Sequence, residues 1–300
     1  MDELSELRRL YDERNLLDAW VLYGNPSGES AEWHLLGSLV AWRLNMIGPS
    51  RSAIEKALVL KPKGMLKAKC LFQAAEMGRL WGDYCQAERN FRRCLDLLAL
   101  NSDEGQMLLG PCLYNLALTL ESLKKPKQAV AFYRQALHEF QRQELNSYTR
   151  MCCQNLAWTL AETGELDSAH QMLDLAAPFC DTNEERWRQQ IVAAFVRYKG
   201  DDLGGAVELC SRVQQDALRF EDQFPTDALI YLAAVQAEVF LAGGNLPSAV
   251  LLSKLALDLV SRHEGTTDAR CFHYVMRVEA KVHTARSAVQ KREEGRGERA

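Results

Sequence analysis

The chain has 300 residues, 47% of them apolar and 25% charged, and its 36 basic and 40 acidic residues leave a net charge of -4. That balance argues against the broad basic footprint of a nucleic-acid protein. No stretch reaches the roughly 18 to 20 apolar residues a bilayer span needs, and the charged start Met1-Asp2-Glu3-Leu4-Ser5-Glu6-Leu7-Arg8-Arg9-Leu10 lacks a secretory core, so a cytoplasmic protein without a membrane partner is expected.

In chain order, Leu4, Leu7, Leu10 and Tyr11 recur at helical spacing, and Asp18-Ala19-x3-Tyr23-x2-Pro26 supplies a partner helix, giving an amino-terminal cap over 1–29. Trp33-x2-Leu36-Gly37-x2-Val40 with Ala57-Leu58-x-Leu60-x-Pro62 begins a series of helix pairs. Gly82-Asp83-Tyr84-x2-Ala87-x3-Phe91 continues it, as do Leu113-x2-Leu116-Ala117 with Ala129-x3-Tyr133 and Leu156-Ala157 with Gly164-x4-Ala169-x3-Leu173. Ala206 with Cys210 and Ala249 with Ser253 are weaker copies. Six units result, about 37 to 43 residues apart.

Turns are expected at Ile47-Gly48-Pro49, Trp81-Gly82-Asp83, Lys124-Lys125-Pro126, Thr163-Gly164-Glu165, Lys199-Gly200-Asp201 and Gly243-Gly244-Asn245. Longer connections are expected at Leu100 to Gly110, Gln141 to Tyr148 and Phe220 to Asp227. Beyond the sixth unit, Cys271, Tyr274, Val275, Val278 and Val282 mark an amphipathic closing helix over 266–290, and 291–300, without apolar residues apart from Ala300, reads as a disordered tail.

Six pairs of this kind in phase resemble the tetratricopeptide repeat family over residues 30–257. The resemblance implies an all-α, right-handed superhelical solenoid of about six helix-turn-helix repeats, with a partial repeat before and a capping helix after, in one domain over 1–290. The family's usual repeat is about 34 residues, and the excess here is assigned to the connections. Each unit exposes an apolar face that only a neighbour can cover, so stacking is obligatory.

No sequence signature of catalysis is present: Walker loop, His-Glu-x2-His, Gly-x-Ser-x-Gly and Gly-x-Gly-x2-Gly are all missing, and the six histidines are scattered. Neither an enzyme nor a cofactor or metal is expected. The nine cysteines form no Cys-x2-Cys pair, so they read as buried thiols of a reducing compartment, with one of the adjacent Cys152 and Cys153 open to solvent.

In the family the inner wall is lined by the second, fifth, sixth, ninth, twelfth and thirteenth positions of each first helix. Carried over, these are Tyr114, Asn115, Leu118 and Glu121 in the third unit and Met151, Gln154, Asn155, Trp158 and Glu162 in the fourth. Lys69, Phe72, Gln73, Glu76 and Arg79 would begin the wall; Trp187, Gln190, Arg197, Tyr198, Tyr231 and Glu238 would extend it. Asn115 and Asn155 share a slot, and an amide there can grip a peptide backbone as both donor and acceptor.

These readings point to a scaffold holding a peptide or extended protein segment in the concave groove. The alternative is a structural subunit whose groove or end faces are permanently filled by another protein or by a second copy in a homodimer. A nucleic-acid partner is disfavoured, since only about 30 residues precede the repeats. The ten basic against four acidic residues of Arg51–Leu95, including Lys61, Lys63, Lys67, Arg89, Arg92 and Arg93, keep a weak RNA or phosphate contact as a third reading.

Overall fold

The computed structural model of the protein describes residues 2–24, 30–99, 103–263 and 269–297. Among them lie fifteen α-helices, two 3-10 turns and no strand. The helices are α1 (Glu3–Asp12), α2 (Leu16–Gly24), α3 (Ala31–Arg43), α4 (Ile47–Val59), α5 (Gly64–Trp81), α6 (Tyr84–Leu98), α7 (Asp103–Ser122) and α8 (Pro126–Arg142). After them come α9 (Asn146–Thr163), α10 (Leu166–Ala176), α11 (Asn183–Lys199), α12 (Leu203–Arg219), α13 (Thr226–Ala242), α14 (Leu246–Arg262) and α15 (Ala269–Gly297). Packing divides them into two compact units, 1–139 and 140–300.

One turn, repeated, makes the hairpins. Arg14, Asn45, Gly82, Lys124, Gly164, Asp201 and Gly244 all adopt the left-handed conformation, with φ between 57° and 88°. In each case the next residue's N–H donates to the carbonyl five positions back, from Asn15 to Leu10 through Asn245 to Phe240, at 2.8–3.0 Å. This is the Schellman closure, which satisfies an otherwise orphaned helix-end carbonyl and turns the chain back. The residue after the turn often caps the second helix: Asp83, Asp202 and Asn245 accept from the N–H groups of Gln86, Gly205 and Ser248.

From that turn the packing positions follow by counting. Five residues on stand Ala19, Ser50, Ala87, Ala129, Ala169, Ala206 and Ala249, all 0% exposed. Twelve residues before these stand Leu7, Ser38, Ala75, Ala117, Ala157, Ala194 and Ala237, also 0% exposed. In every pair but the first, where one position is Leu7, small side chains at both positions let the two helices approach closely. The larger slot four residues after the alanine holds Phe91 and Tyr133 at 0% and, as expected, shrinks to Cys210 and Ser253 in the last two pairs.

Three sequence expectations change. The first full unit turns at Asn45 rather than Ile47-Gly48-Pro49, and Gly48 and Pro49 lie in the first turn of α4. Its small first-helix residue is therefore Ser38, whose hydroxyl meets that of Ser50 at 2.9 Å, while Gln73 donates to both. Gly37 serves a different contact: a Cβ there would come within 2.2 Å of the Tyr23 ring, so α2 is seated directly on α3.

Second, much of the extra repeat length resides in the helices, while the connection expected at Phe220 to Asp227 is present between α12 and α13. α7 begins at Asp103 and runs through Pro111 for 20 residues, inside the segment expected as a connection, and α5 and α9 have 18 residues each. Third, Cys152 and Cys153 are both 0% exposed, and burial pushes the Cys153 thiol up to about 12. The closing helix, expected over 266–290, has its backbone helical to Gly297; residues 298–300 and Pro26 lie outside the described residues.

Substitutions at the two kinds of close contact should separate them from surface sites. Ala129→Tyr overfills a 0% exposed slot, and an unfolding free energy lower by about 1–3 kcal/mol or more is expected in urea titration. Gly37→Ala should lose a similar roughly 1–3 kcal/mol, because moving Tyr23 aside would disturb its stacking on Trp20 and Trp33 and its hydrogen bond with His34.

Candidate functional site

In the unit spanning 140–300, the first helices α9, α11 and α13 turn aromatic side chains toward one another. Trp158 lies parallel to Phe195, with ring centroids 3.7 Å apart and planes within 3°. Tyr231 meets the Trp158 ring edge-on at 5.6 Å. Counting from the turn explains the set, since Trp158, Phe195 and Glu238 each stand six residues before the left-handed position of their hairpin.

The fourth member comes from α15. Its Tyr274 ring stands at 87° to Trp158, 5.0 Å away, and stacks with Tyr231 at 6.1 Å. The Tyr274 hydroxyl donates to Glu238 Oε2 at 2.7 Å, and Lys281 Nζ donates to Glu238 Oε1. Arg277 reaches Glu162 on α9. Meanwhile Cys271, Val275, Val278 and Val282, at 0–2% exposure, form the apolar face of α15, which packs against α13 and α14.

Electrostatics at this face follow from burial. Glu238 is 1% exposed, and a carboxylate so deep is tolerable only with donors in place. The Tyr274 phenol is held well above its ordinary value, first by burial and then by the adjoining Glu238 carboxylate. Lys199 sits over the Phe195 and Tyr198 rings, 5.2 and 5.1 Å from their centroids. Its ammonium is pushed down chiefly by burial, with Lys281 and Arg277 adding to the effect against the opposing pull of Glu238.

The predicted wall residues fall into two groups. Tyr114, Gln154, Trp158, Trp187 and Glu238 are buried, whereas Met151 and Arg197 are exposed and Asn115, Glu121, Asn155, Gln190 and Tyr231 are half-buried. Gln154 bridges Arg150 and Gln189, so its amide serves the α9–α11 contact. In the unit spanning 1–139, Tyr114 packs edge-on against Tyr133, whose hydroxyl donates to Glu121 at 2.7 Å. Phe72 meets Phe91, Gln73 ties Ser38 to Ser50, and Glu76 pairs with Arg79.

For α11 the sequence register is one residue out. Asp201, not Gly200, takes the left-handed turn, since Gly200 has φ of -90°. The inner slots therefore fall on Arg188, Phe195, Tyr198 and Lys199. Trp187 instead points to its own hairpin, donating to Asp216 at 3.0 Å and packing on Phe220 and Phe224. Arg197 pairs with Asp202, and Gln190 Oε1 is shielded without a partner. Phe195 and Lys199 were missed for this reason; Arg277 and Lys281 were missed because only the apolar stripe of α15 was read.

In the basic stretch, Arg92 and Lys125 share Glu88; burial is the largest single effect on its carboxyl and raises it, but the two cations together outweigh burial and hold it low. No group of His, Cys, Asp and Glu suited to a metal occurs among the described residues, and none of their helices is long and apolar enough to cross a membrane.

The two exposure groups predict opposite responses. Trp158→Ala should lower the unfolding free energy by about 3–5 kcal/mol, as for a large core residue. Met151→Ala, at a 39% exposed position, should stay within about 0.5 kcal/mol of the parent in the same urea titration.

A family profile for the tetratricopeptide repeat matches residues 110–137, which span α7 and α8. No curated protein sequence matches the chain. Among solved structures, a Rap protein complexed with competence and sporulation factor is similar with a TM-score of 0.67 and 14% identity, over 96% of this chain and 86% of that one. A tetratricopeptide repeat protein from Parabacteroides merdae gives 0.59 and 14%, over 93% and 97%. The Rap conjugation gene regulator of plasmid pLS20, in complex with the Phr* peptide, gives 0.51 and 13%, over 85% and 75%. The chain thus carries a tetratricopeptide repeat and has the all-α helix-hairpin fold of tetratricopeptide-repeat proteins.

Proposed function

We propose that this chain is a non-enzymatic scaffold that holds a peptide or an extended protein segment against the inner faces of its first helices. The observation that carries the reading is the recurrence of Asn115 and Asn155, each nine residues before the left-handed residue of its hairpin and each half-buried. The alanines and aromatics close the helix crossing. The Asn115 amide makes no hydrogen bond among the described residues, while its backbone carbonyl accepts from Thr119. Such an amide can accept from a peptide N–H and donate to a peptide carbonyl. Beside Asn115, Glu121 supplies an anionic contact, and beside Asn155, Met151 supplies an apolar one. The Phr* complex of a protein with the same fold supports the ligand class, and nine thiols, seven of them buried, fit a reducing compartment such as the cytoplasm.

The test is selection from a random-peptide display library. Peptides that bind the parent chain should bind Asn115→Ala/Asn155→Ala about tenfold or more weakly while the melting temperature stays the same. Selected binders that ignore both substitutions would remove the reading.

A second copy of the chain is the alternative that a specific observation favours. Leu251 and Leu255 on α14 are 70% and 42% exposed, at slots that hold Arg89 and Arg93 in α6 and Glu208 and Arg212 in α12. Apolar residues in that exposed pattern suit self-association. Sedimentation should then show a concentration-dependent dimer that Leu251→Glu/Leu255→Glu abolishes; a monomer at all concentrations discards it.

A further inference from the structure

The inner face of the 140–300 unit already holds a helix, and that helix belongs to the chain itself. α15 uses two faces at once. Its valines rest on α13 and α14, while Tyr274, Arg277 and Lys281, at i, i+3 and i+7, turn toward α9, α11 and α13. Residues spaced in this way lie along one helix face.

Glu238 is the informative partner. It is 1% exposed, and both donors to its side chain among the described residues come from α15. A buried carboxylate supplied wholly by one terminal helix is a socket for an aromatic hydroxyl and a cation two turns further on, whichever chain brings them. The resident helix also fits imperfectly: Glu279 Oε2 on α15 is shielded without a hydrogen-bond partner among the described residues. Its seating gathers the cations Lys199, Arg277 and Lys281 around two carboxylates, Glu162 and Glu238, and Lys199 has neither as a salt-bridge partner.

We propose that the face formed by Trp158, Phe195, Tyr231 and Glu238 is an exchangeable helix site, with α15 its resident occupant, displaced by a partner helix that presents an aromatic residue followed three and seven positions later by Arg and Lys. The proposal rests on the scaffold reading above and specifies one of its ligands. A partner of this chemistry replaces the ring against Trp158, the hydroxyl and ammonium on Glu238 and the guanidinium on Glu162, so the wall is never left with an unpaired buried charge.

The probe is a fluorescently labelled peptide of residues 269–290, followed by anisotropy against the full-length protein. Lys281→Glu turns the attraction to Glu238 into repulsion, and because the Lys281 side chain is 42% exposed the apolar face of α15 is left intact. The peptide should bind Lys281→Glu about tenfold or more tightly than the parent. Adding Glu238→Lys should erase the gain, since the exchanged charges hold α15 and repel the probe's lysine. Hydrogen exchange of the unliganded chain is the second readout: amides of α15 should exchange faster in Lys281→Glu while those of α11 and α13 hold. If α13 opens together with α15, the helix is a fixed part of the core and the inference is overturned. If α15 opens and the peptide still fails to bind, the inference also falls, while the reading that rests on Asn115 and Asn155 keeps its own test.

Discussion

Close crossing of two helices at paired small residues twelve positions apart is the constraint on which the rest of the molecule depends. With Ala or Ser at both points in all pairs but the first, backbones approach far enough that the larger neighbours, such as Phe91 and Tyr133, fill the space on either side. The left-handed turn between them fixes where each helix stops, so crossing, turn and aromatic slot keep one relative spacing in every hairpin. Spacing between hairpins is free to vary, because added residues lengthen helices without moving the crossing.

That invariance decides which side chains meet on the inner face. Positions six residues before each turn place Trp158 against Phe195 and bring Glu238 within reach of the same cluster. The face is therefore both aromatic and charged. Such a surface is costly to leave open, since a buried carboxylate needs donors, and α15 supplies them. The covering helix is thus explained by the chemistry of what it covers as well as by its valines.

Much of this was legible in the sequence. Ala87, Ala129, Ala169, Ala206 and Ala249 announced the second helices, Asp18-Ala19-x3-Tyr23 announced that of the amino-terminal pair, and apolar periodicity marked α1 and the closing helix. Legibility failed where the residue that signals a turn is not the residue that makes it. Gly200 advertises a turn that Asp201 makes, and Gly48-Pro49 advertises one that Asn45 makes. Asn and Asp enter the left-handed region at modest cost, so a nearby glycine misleads the register, and on α11 an error of one residue rotates the inner assignments. The burial of Trp158 was unreadable for another reason: its cover comes from Tyr274, 116 positions away, and periodicity carries no information on which distant helix returns to a face.

The non-glycine turns have a consequence for the molecule as a whole. Arg14, Asn45, Lys124 and Asp201 hold side chains in a backbone conformation that Gly82, Gly164 and Gly244 occupy without strain. For Arg14 and Lys124 the penalty is roughly 1 kcal/mol each, and for the shorter Asn45 and Asp201 it is less. The array therefore stands below its own ceiling of robustness, with an unclaimed reserve located in the loops and not in the core. Thermal resilience could rise through those corners while every ring and charge on the inner face stays untouched.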